Sequence, residues 1–314
     1  MLTGYPSPEE LRAGSKRLLA QVLTRLETTA QDRDTAAFLD SLCLDPKGSV
    51  LGLTGPPGVG KSSLTDALIK AYRGEGKRVA VLAIDPSSSV TGGALLGDRT
   101  RLKTDPLDDG VFVRSMAARD RLGGLSDQAV AAIAVLRAVV DRVIVETVGI
   151  GQSEGDLKHA VDTVLLCIQP GSGDSLQFMK AGIMELPDLV AVTKSDLGTL
   201  ARRASSDVTG ALSLAYTGGQ GWNVPVTEVS SHTGAGIADL VANADAHRVY
   251  LDKTGLLPRR RQQHAAWFMD MVRTEFGRAG LAMLSGGDWG ERAAETPFGS
   301  FLDFAGEVAR RLQS

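Results

Sequence analysis

Residues Gly55-Pro56-Pro57-Gly58-Val59-Gly60-Lys61-Ser62 fit the pattern GxxxxGK[ST] without a gap. No other feature of the chain restricts its fold so tightly, because such a loop works only between a strand and a helix. An apolar run at 50–54 precedes it and a helical pattern at 61–73 follows it. The glycines let the backbone curl until successive N–H groups point at phosphate oxygens. The helix start adds a dipole that favours anions. Lys61 is then placed to reach β- and γ-phosphates, and the Ser62 hydroxyl to sit on Mg²⁺. The expected nucleotide-contacting set in this segment is Gly55, Pro57, Gly58, Val59, Gly60, Lys61, Ser62 and Ser63.

The rest of the chain supports that context. Apolar strand candidates fall at 50–54, 79–84, 111–113, 143–145, 164–168, 189–192 and 224–229, with helical patterns at 61–73, 125–140, 196–215 and 236–250. Buried strands separated by helices predict an α/β fold: a mostly parallel P-loop sheet with helices on both faces. Helical periodicity over 9–44, carried by Leu11, Leu18, Leu19, Val22, Leu23 and Leu26, adds an N-terminal extension. After Leu257-Pro258 the pattern is helical to the end, with an apolar stripe of Trp267, Phe268, Met271, Val272 and Phe276. The expected organisation is a helical extension over 1–48, a P-loop domain over 49–255 and a C-terminal helical arm over 256–314, which either packs as a cap or forms an oligomer contact.

A phosphate loop needs carboxylates for its metal and its water. Asp85 ends the strand at 79–84, Glu146 ends that at 143–145, and Asp98 lies in the Gly-rich stretch after Asp85. Ligands of open α/β sheets bind beyond the carboxyl ends of strands, so Asp85 and Glu146 should lie on the side of Lys61. With Ser62 these three form the expected Mg²⁺ set. Glu146-Thr147-Val148-Gly149 has the form of a switch loop, in which the Gly149 N–H would contact a γ-phosphate. Gln152 and Glu154 follow and could orient water, or could be solvated.

Past the strand at 189–192 stands Thr193-Lys194-Ser195-Asp196, where nucleotide hydrolases selective for guanine commonly have Asn-Lys-x-Asp. An Asp here accepts from the N1–H and 2-amino groups that adenine lacks, and the Lys stem covers the base. Threonine for Asn keeps an oxygen and loses the amide, so the loop is expected to lose some rigidity. Ser230-Ser231-His232 follows the strand at 224–229, at the place of the loop that closes over guanine O6. His232 reads as an exposed loop residue. The other histidines, His159, His247 and His264, make no ligand-spaced group.

Composition narrows the partners. A net charge of −3 and a pI near 5.9 give no general attraction to nucleic acid or anionic membrane. The run Arg259-Arg260-Arg261 is short and reads as a solvated helix start. Cys43 and Cys167 lack CxxC partners, so neither a disulfide framework nor a zinc site is expected, and Cys167 reads as strand core. No signal peptide is read at the N-terminus, and the longest apolar run, 129–140, is too short to span a bilayer. The expected location is the cytoplasm.

Several segments together resemble the methylmalonyl-CoA mutase-associated GTPases (the MeaB type, with the cobalamin type A protein and ArgK-like proteins). They are Ile84-Asp85-Pro86-Ser87-Ser88, the stretch 91–99 (TGGALLGDR), Arg114-Ser115-Met116-Ala117, Leu122-Gly123-Gly124, the stretch 146–154 (ETVGIGQSE) and the stretch 170–177 (PGSGDSLQ). Arg261-Gln262-Gln263 and Trp267 are similar to the start of that family's C-terminal arm. The resemblance implies a GTPase core of the signal-recognition and metallochaperone class, GTP as substrate and GDP as product. It also implies Mg²⁺ held by Ser62, Asp85, Asp98 and Glu146, and a homodimer through the arm. Its partner would be an acyl-CoA mutase, of the methylmalonyl-CoA type, whose cobalamin loading and protection the GTPase would gate. The chain departs from the family pattern at Ser89-Val90, Asp120, Ser175, Thr193 and Ser231. The alternatives are a P-loop small-molecule kinase or ATPase, and a nickel-insertion GTPase, which would need a Cys- or His-rich site.

Overall fold

The computed structural model describes residues 4–28, 32–86, 102, 104–118, 125–147, 157–171, 186–215, 221–284 and 287–313. In chain order the helices are α1 Pro8–Ala13, α2 Lys16–Thr28, α3 Arg33–Leu44, α4 Lys61–Gly74 and α5 Asp127–Val139. They continue as α6 Thr199–Ala215, α7 Ile237–Thr254, α8 Leu256–Met283, α9 Trp289–Glu295 and α10 Pro297–Gln313. The strands are β1 Ser49–Thr54, β2 Val79–Pro86, β3 Val111–Ala118, β4 Arg142–Thr147, β5 Thr163–Ile168, β6 Leu189–Val192 and β7 Val226–Glu228. Two compact units result. One is Ser49–Ser126 with Asp141–Thr254; the other is Met1–Gly48, Asp127–Val140 and Gly255–Ser314.

The first unit holds a seven-stranded sheet among the described residues, in the order β3-β2-β4-β1-β5-β6-β7. Every pairing is parallel. The inner strands are apolar on both sides, as a sheet covered on both faces requires. Alternation assigns the faces: Leu165 and Cys167 of β5 pack with Leu64 and Leu68 of α4 and Leu240 of α7. Their neighbours Leu166 and Ile168 pack with Val208 and Leu212 of α6. Strand β1 sits between β4 and β5, where the strand order reverses, so its carboxyl end is the expected ligand crevice. Several elements differ in length from the sequence reading. The helix expected from 196 starts as a 3-10 turn over Ser195–Leu197, and the strand expected over 224–229 shortens to β7. Pro225 cannot donate to a sheet ladder, which ends the strand there.

The second unit is helical. Helix α1 starts with a capping box: the Glu10 N–H donates to the Ser7 hydroxyl, and the Ser7 N–H to Glu10. The apolar face read from the sequence is the buried one, with Leu11, Leu19, Val22, Leu23 and Leu26 inside. Helix α5, which links β3 and β4 in the chain, groups with this unit and is buried almost all round. Helix α8 breaks at Gly277, whose φ of 62° and ψ of −149° are not helical.

Buried polar groups tie the helical unit together. Asp40 of α3 accepts the Phe298 and Gly299 N–H groups, at 3.1 and 2.8 Å, and so caps the first turn of α10. The arginine run is not uniformly solvated as its composition suggested. Arg261 is exposed and pairs with Glu295, but Arg260 is buried and donates to the Gly48 carbonyl at 2.8 Å. The long side chain carries its charge to a backbone carbonyl in the turn before β1. Fully buried Arg137 lies 3.1 Å from His264 Nε2, and His264 Nδ1 lies 3.0 Å from the Ala294 carbonyl. A guanidinium only donates and a carbonyl only accepts, so this histidine is the neutral Nδ1–H tautomer.

Burial pushes the Asp40 carboxyl from 3.8 up to about 6, against the pull of its two N–H donors. Burial, reinforced by the Arg137 charge, holds His264 down from 6.5 to about 4. The signs oppose each other. Between pH 4 and 6 folded Asp40 binds a proton that unfolded Asp40 lacks, so its contribution to stability falls as pH rises. Folded His264 lacks a proton that the unfolded residue binds, so its contribution rises with pH. The two should nearly cancel in the native protein. Urea midpoints followed through Trp267 and Trp289 should rise more steeply over pH 4–6 in Asp40→Asn than in the wild type. In His264→Gln they should fall with pH.

Candidate nucleotide site

The site begins with the curl after β1. Gly55 has φ 148°, and a Cβ there would lie 2.4 Å from the Cys167 carbonyl of β5. Only glycine lets the loop leave the sheet at this point. Gly60, at φ 100°, starts α4. Lys61 is buried beneath the loop and donates to the Gly55 and Pro56 carbonyls, at 2.7 and 3.1 Å. Its ammonium therefore sits inside the ring of backbone that phosphate would enter. Ser63 and Pro57 are exposed on the rim.

Beneath the helix start lies Glu146, nearly buried at the end of β4. Its two oxygens are taken by two hydroxyls of α4: Ser62 Oγ donates to Oε1 at 2.7 Å and Thr65 Oγ1 to Oε2 at 2.9 Å. β4 neighbours β1 in register, Leu53 opposite Glu146, and this pairing brings the carboxylate under the loop. Asp85 lies in β2 opposite Ala117 of β3, one residue from the strand's end. Asp98, Gly149, Gln152 and Glu154 lie outside the described residues.

The segment 193–196 is bound to the same loop. The Thr193 hydroxyl lies 2.7 Å from the Val59 carbonyl and 3.1 Å from that of Ile168, and donates toward both. Thr193 is buried, and its own N–H also donates to Ile168 at 2.8 Å. Threonine thus supplies by one hydroxyl the tether to the phosphate loop that its replacement of Asn put in question. Lys194 is the one non-glycine among the described residues with positive φ, 54°. That turn lays its stem along the loop, where Nζ donates to the Gly58 carbonyl at 3.1 Å and to Gln169 Oε1 at 2.7 Å. The sequence reading missed Gln169 and Thr65: neither belongs to a motif, and each is visible only through the pairing it makes.

Asp196 is exposed, and Ser230 Oγ donates to its Oδ1 at 2.6 Å. That bond, with its own backbone N–H and the charges of His232 and Lys194, holds its carboxyl below the usual carboxylate range. The Asp196 carboxylate is therefore ionised near neutrality. Ser230 is itself buried, and the loop closes by Gly234 N–H to the Ser230 carbonyl. Ser231 is half-buried and His232 exposed beside it. The phosphate loop, the carboxylate of β4, the 193–196 segment and the 230–232 loop thus line one edge of the sheet. His247 is elsewhere. It packs with Thr163 and Asp188 at the opposite ends of the strands, against Trp222.

Comparison with known proteins gives the family. The family model for methylmalonyl Co-A mutase-associated GTPase MeaB matches residues 19–282. The chain belongs to this family. A protein of Pyrococcus horikoshii named as a GTPase is 40% identical over 262 residues, covering 81% of this chain and 80% of that one. The mitochondrial methylmalonic aciduria type A homolog of Mus musculus is 34% identical over 277 residues, covering 83% and 67%. The GTPase ArgK of Escherichia coli is 39% identical over 194 residues, covering 60% and 59%. Among solved structures, an LAO/AO transport system kinase superposes with a TM-score of 0.68 at 26% identity, over 98% of this chain and 96% of that chain. HypB from Helicobacter pylori, solved in complex with nickel, superposes at 0.52 with 18% identity over 69% and 95%, a likeness of fold. The chain is a P-loop GTPase of the MeaB family. No group of three or more His, Cys, Asp or Glu placed to hold a metal occurs among its described residues.

If Thr193 orders the base segment, Thr193→Val should weaken GDP binding about 5- to 30-fold, the equivalent of about 1–2 kcal/mol for a buried hydrogen bond. Thr193→Ser should stay near the wild type. Titration with a fluorescent GDP analogue checks both.

Proposed function

We propose that this GTPase binds GTP with Mg²⁺ at the loop of residues 55–62 and hydrolyses it to GDP and phosphate. It passes the nucleotide state to an adenosylcobalamin-dependent acyl-CoA mutase, methylmalonyl-CoA mutase first among them. In that role it gates cobalamin loading and protects or reactivates the mutase. A homodimer through the C-terminal arm belongs to the same reading, as does action in the cytoplasm without nucleic-acid or membrane partners. No described helix is long and apolar enough to cross a membrane. The support for the partner is the family match over residues 19–282, whose name is that of a mutase-associated GTPase.

The observation that carries the chemistry is the 2.7 Å hydrogen bond from Ser62 to buried Glu146. An alcohol and a carboxylate side by side, next to a phosphate-loop lysine, are hard oxygen donors of the kind Mg²⁺ takes. Residues Ser62 and Glu146, joined by Asp85 and Asp98, would hold the ion. Bound there, it would neutralise charge on the β- and γ-phosphate oxygens.

The other steps belong to the chain. Backbone N–H groups of 58–62 and the start of α4 receive the phosphates. Lys61 exchanges the Gly55 and Pro56 carbonyls for phosphate oxygens, so its ammonium meets the charge that grows on the leaving β-phosphate. Water attacks the γ-phosphorus, and the bond from that phosphorus to the β–γ bridging oxygen breaks. Glu146, or Gln152 of the adjoining segment, orients the water. Asp196 and Lys194 select guanine, while Ser230, Ser231 and His232 close over the base. Gly149 reads the γ-phosphate and so couples hydrolysis to the switch segment.

Two measurements test this reading. With γ-labelled GTP, the label should appear as inorganic phosphate, and Glu146→Gln should slow its release at least 100-fold. Label on a small molecule would replace the reading with that of a kinase. Purified acyl-CoA mutase should be retained by the immobilised GTPase with an affinity that differs between GDP and a non-hydrolysable GTP analogue. Identical retention, or none, in the two states would remove the mutase role.

A further inference from the structure

We infer that Thr65 is a positioning residue of the Mg²⁺ site, acting through Glu146; the inference rests on the reading of Glu146 given above. Thr65 has no exposed surface and lies one helical turn beyond Lys61, on the face of α4 turned to β4. Its hydroxyl behaves unlike those of four other helical threonines. Thr28, Thr209, Thr254 and Thr274 each donate to the carbonyl four residues earlier, the usual resting place of a helical threonine hydroxyl. Thr65 donates instead across to Glu146 Oε2 at 2.9 Å.

That choice fixes the carboxylate. Thr65 holds Oε2, which leaves Oε1 aimed at Ser62. The two donors differ in what they do on ligand binding. Ser62 is the hydroxyl expected to turn to the metal, so its bond to Oε1 is one that loading gives up. Thr65 has no such second duty and keeps its bond throughout. Glu146 therefore presents the same oxygen, in the same plane, before and after loading. Without Thr65 the carboxylate would lose the hydrogen bond that holds Oε2. Outer groups that orient a metal-binding carboxylate typically change metal affinity by about 10- to 100-fold when removed.

The test is the Mg²⁺ concentration that half-saturates the slowing of GDP release, read from a fluorescent GDP analogue, with the release rate in EDTA as reference. Thr65→Val keeps the shape and removes the hydroxyl. It should raise the half-saturating Mg²⁺ on the order of 10-fold while leaving release in EDTA unchanged. Thr65→Ser, which restores the hydroxyl, should bring the value back. Glu146→Gln, measured alongside, should also raise it. An unchanged Mg²⁺ requirement in Thr65→Val, with Glu146→Gln shifted, would overturn the inference and leave the role of Glu146 standing. An unchanged requirement in Glu146→Gln would overturn both. Faster release in EDTA for Thr65→Val, unrelieved in Thr65→Ser, would show a packing role and overturn the inference as well.

Discussion

The site depends on one close approach of backbone to backbone. Where Gly55 leaves β1 it passes the Cys167 carbonyl so closely that a side chain there would fall 2.4 Å from that oxygen. Every later contact follows from this passage. The loop curls over the sheet edge and delivers α4 above β1 and β4, so that Ser62 and Thr65 meet Glu146. It also turns the Gly58 and Val59 carbonyls toward the segment after β6, where Lys194 and Thr193 take them. Phosphate loop and base segment are thereby one hydrogen-bonded body, although 130 or so residues of chain separate them.

Lys61, Ser62 and Asp196 each have a hydrogen-bond partner within the chain. Lys61 rests on its own loop, Ser62 rests on Glu146, and Asp196 rests on Ser230. A nucleotide entering as proposed would exchange these partners for its own oxygens and nitrogens. Such exchange is inexpensive for each group, since a hydrogen bond lost is a hydrogen bond gained.

Much of the fold was legible in the sequence because its signals are local. The strands of the described sheet appear as apolar runs, and the phosphate loop announces the strand before it and the helix after it. What was not legible is long-range. Helix α5 stands between β3 and β4 and looks like any crossover helix, yet it groups with the terminal helices, because a run of Ala and Val buried all round names no particular neighbour. Arg260 sits in a basic run that resembles a solvated helix start, and only the fold supplies the Gly48 carbonyl that buries it. In the site the same distinction holds. The loop, Glu146 and the 193–196 segment stand out by spacing, whereas Thr65 is a threonine in mid-helix and Gln169 a residue at a strand end. Their relevance is set by which oxygen each can reach. The replacement of Asn by Thr193 raised a question about rigidity that composition could not answer and two short distances can.

A single guanine-nucleotide site formed by these loops at the carboxyl edge of the sheet, as proposed, has a direct signature in binding. Calorimetric binding of GDP and ADP to the purified protein with Mg²⁺, repeated on Asp196→Asn, tests it most directly. GDP should bind on the order of 100-fold tighter than ADP, with that preference collapsing in the variant. Equal or tighter binding of ADP by the wild type would contradict it.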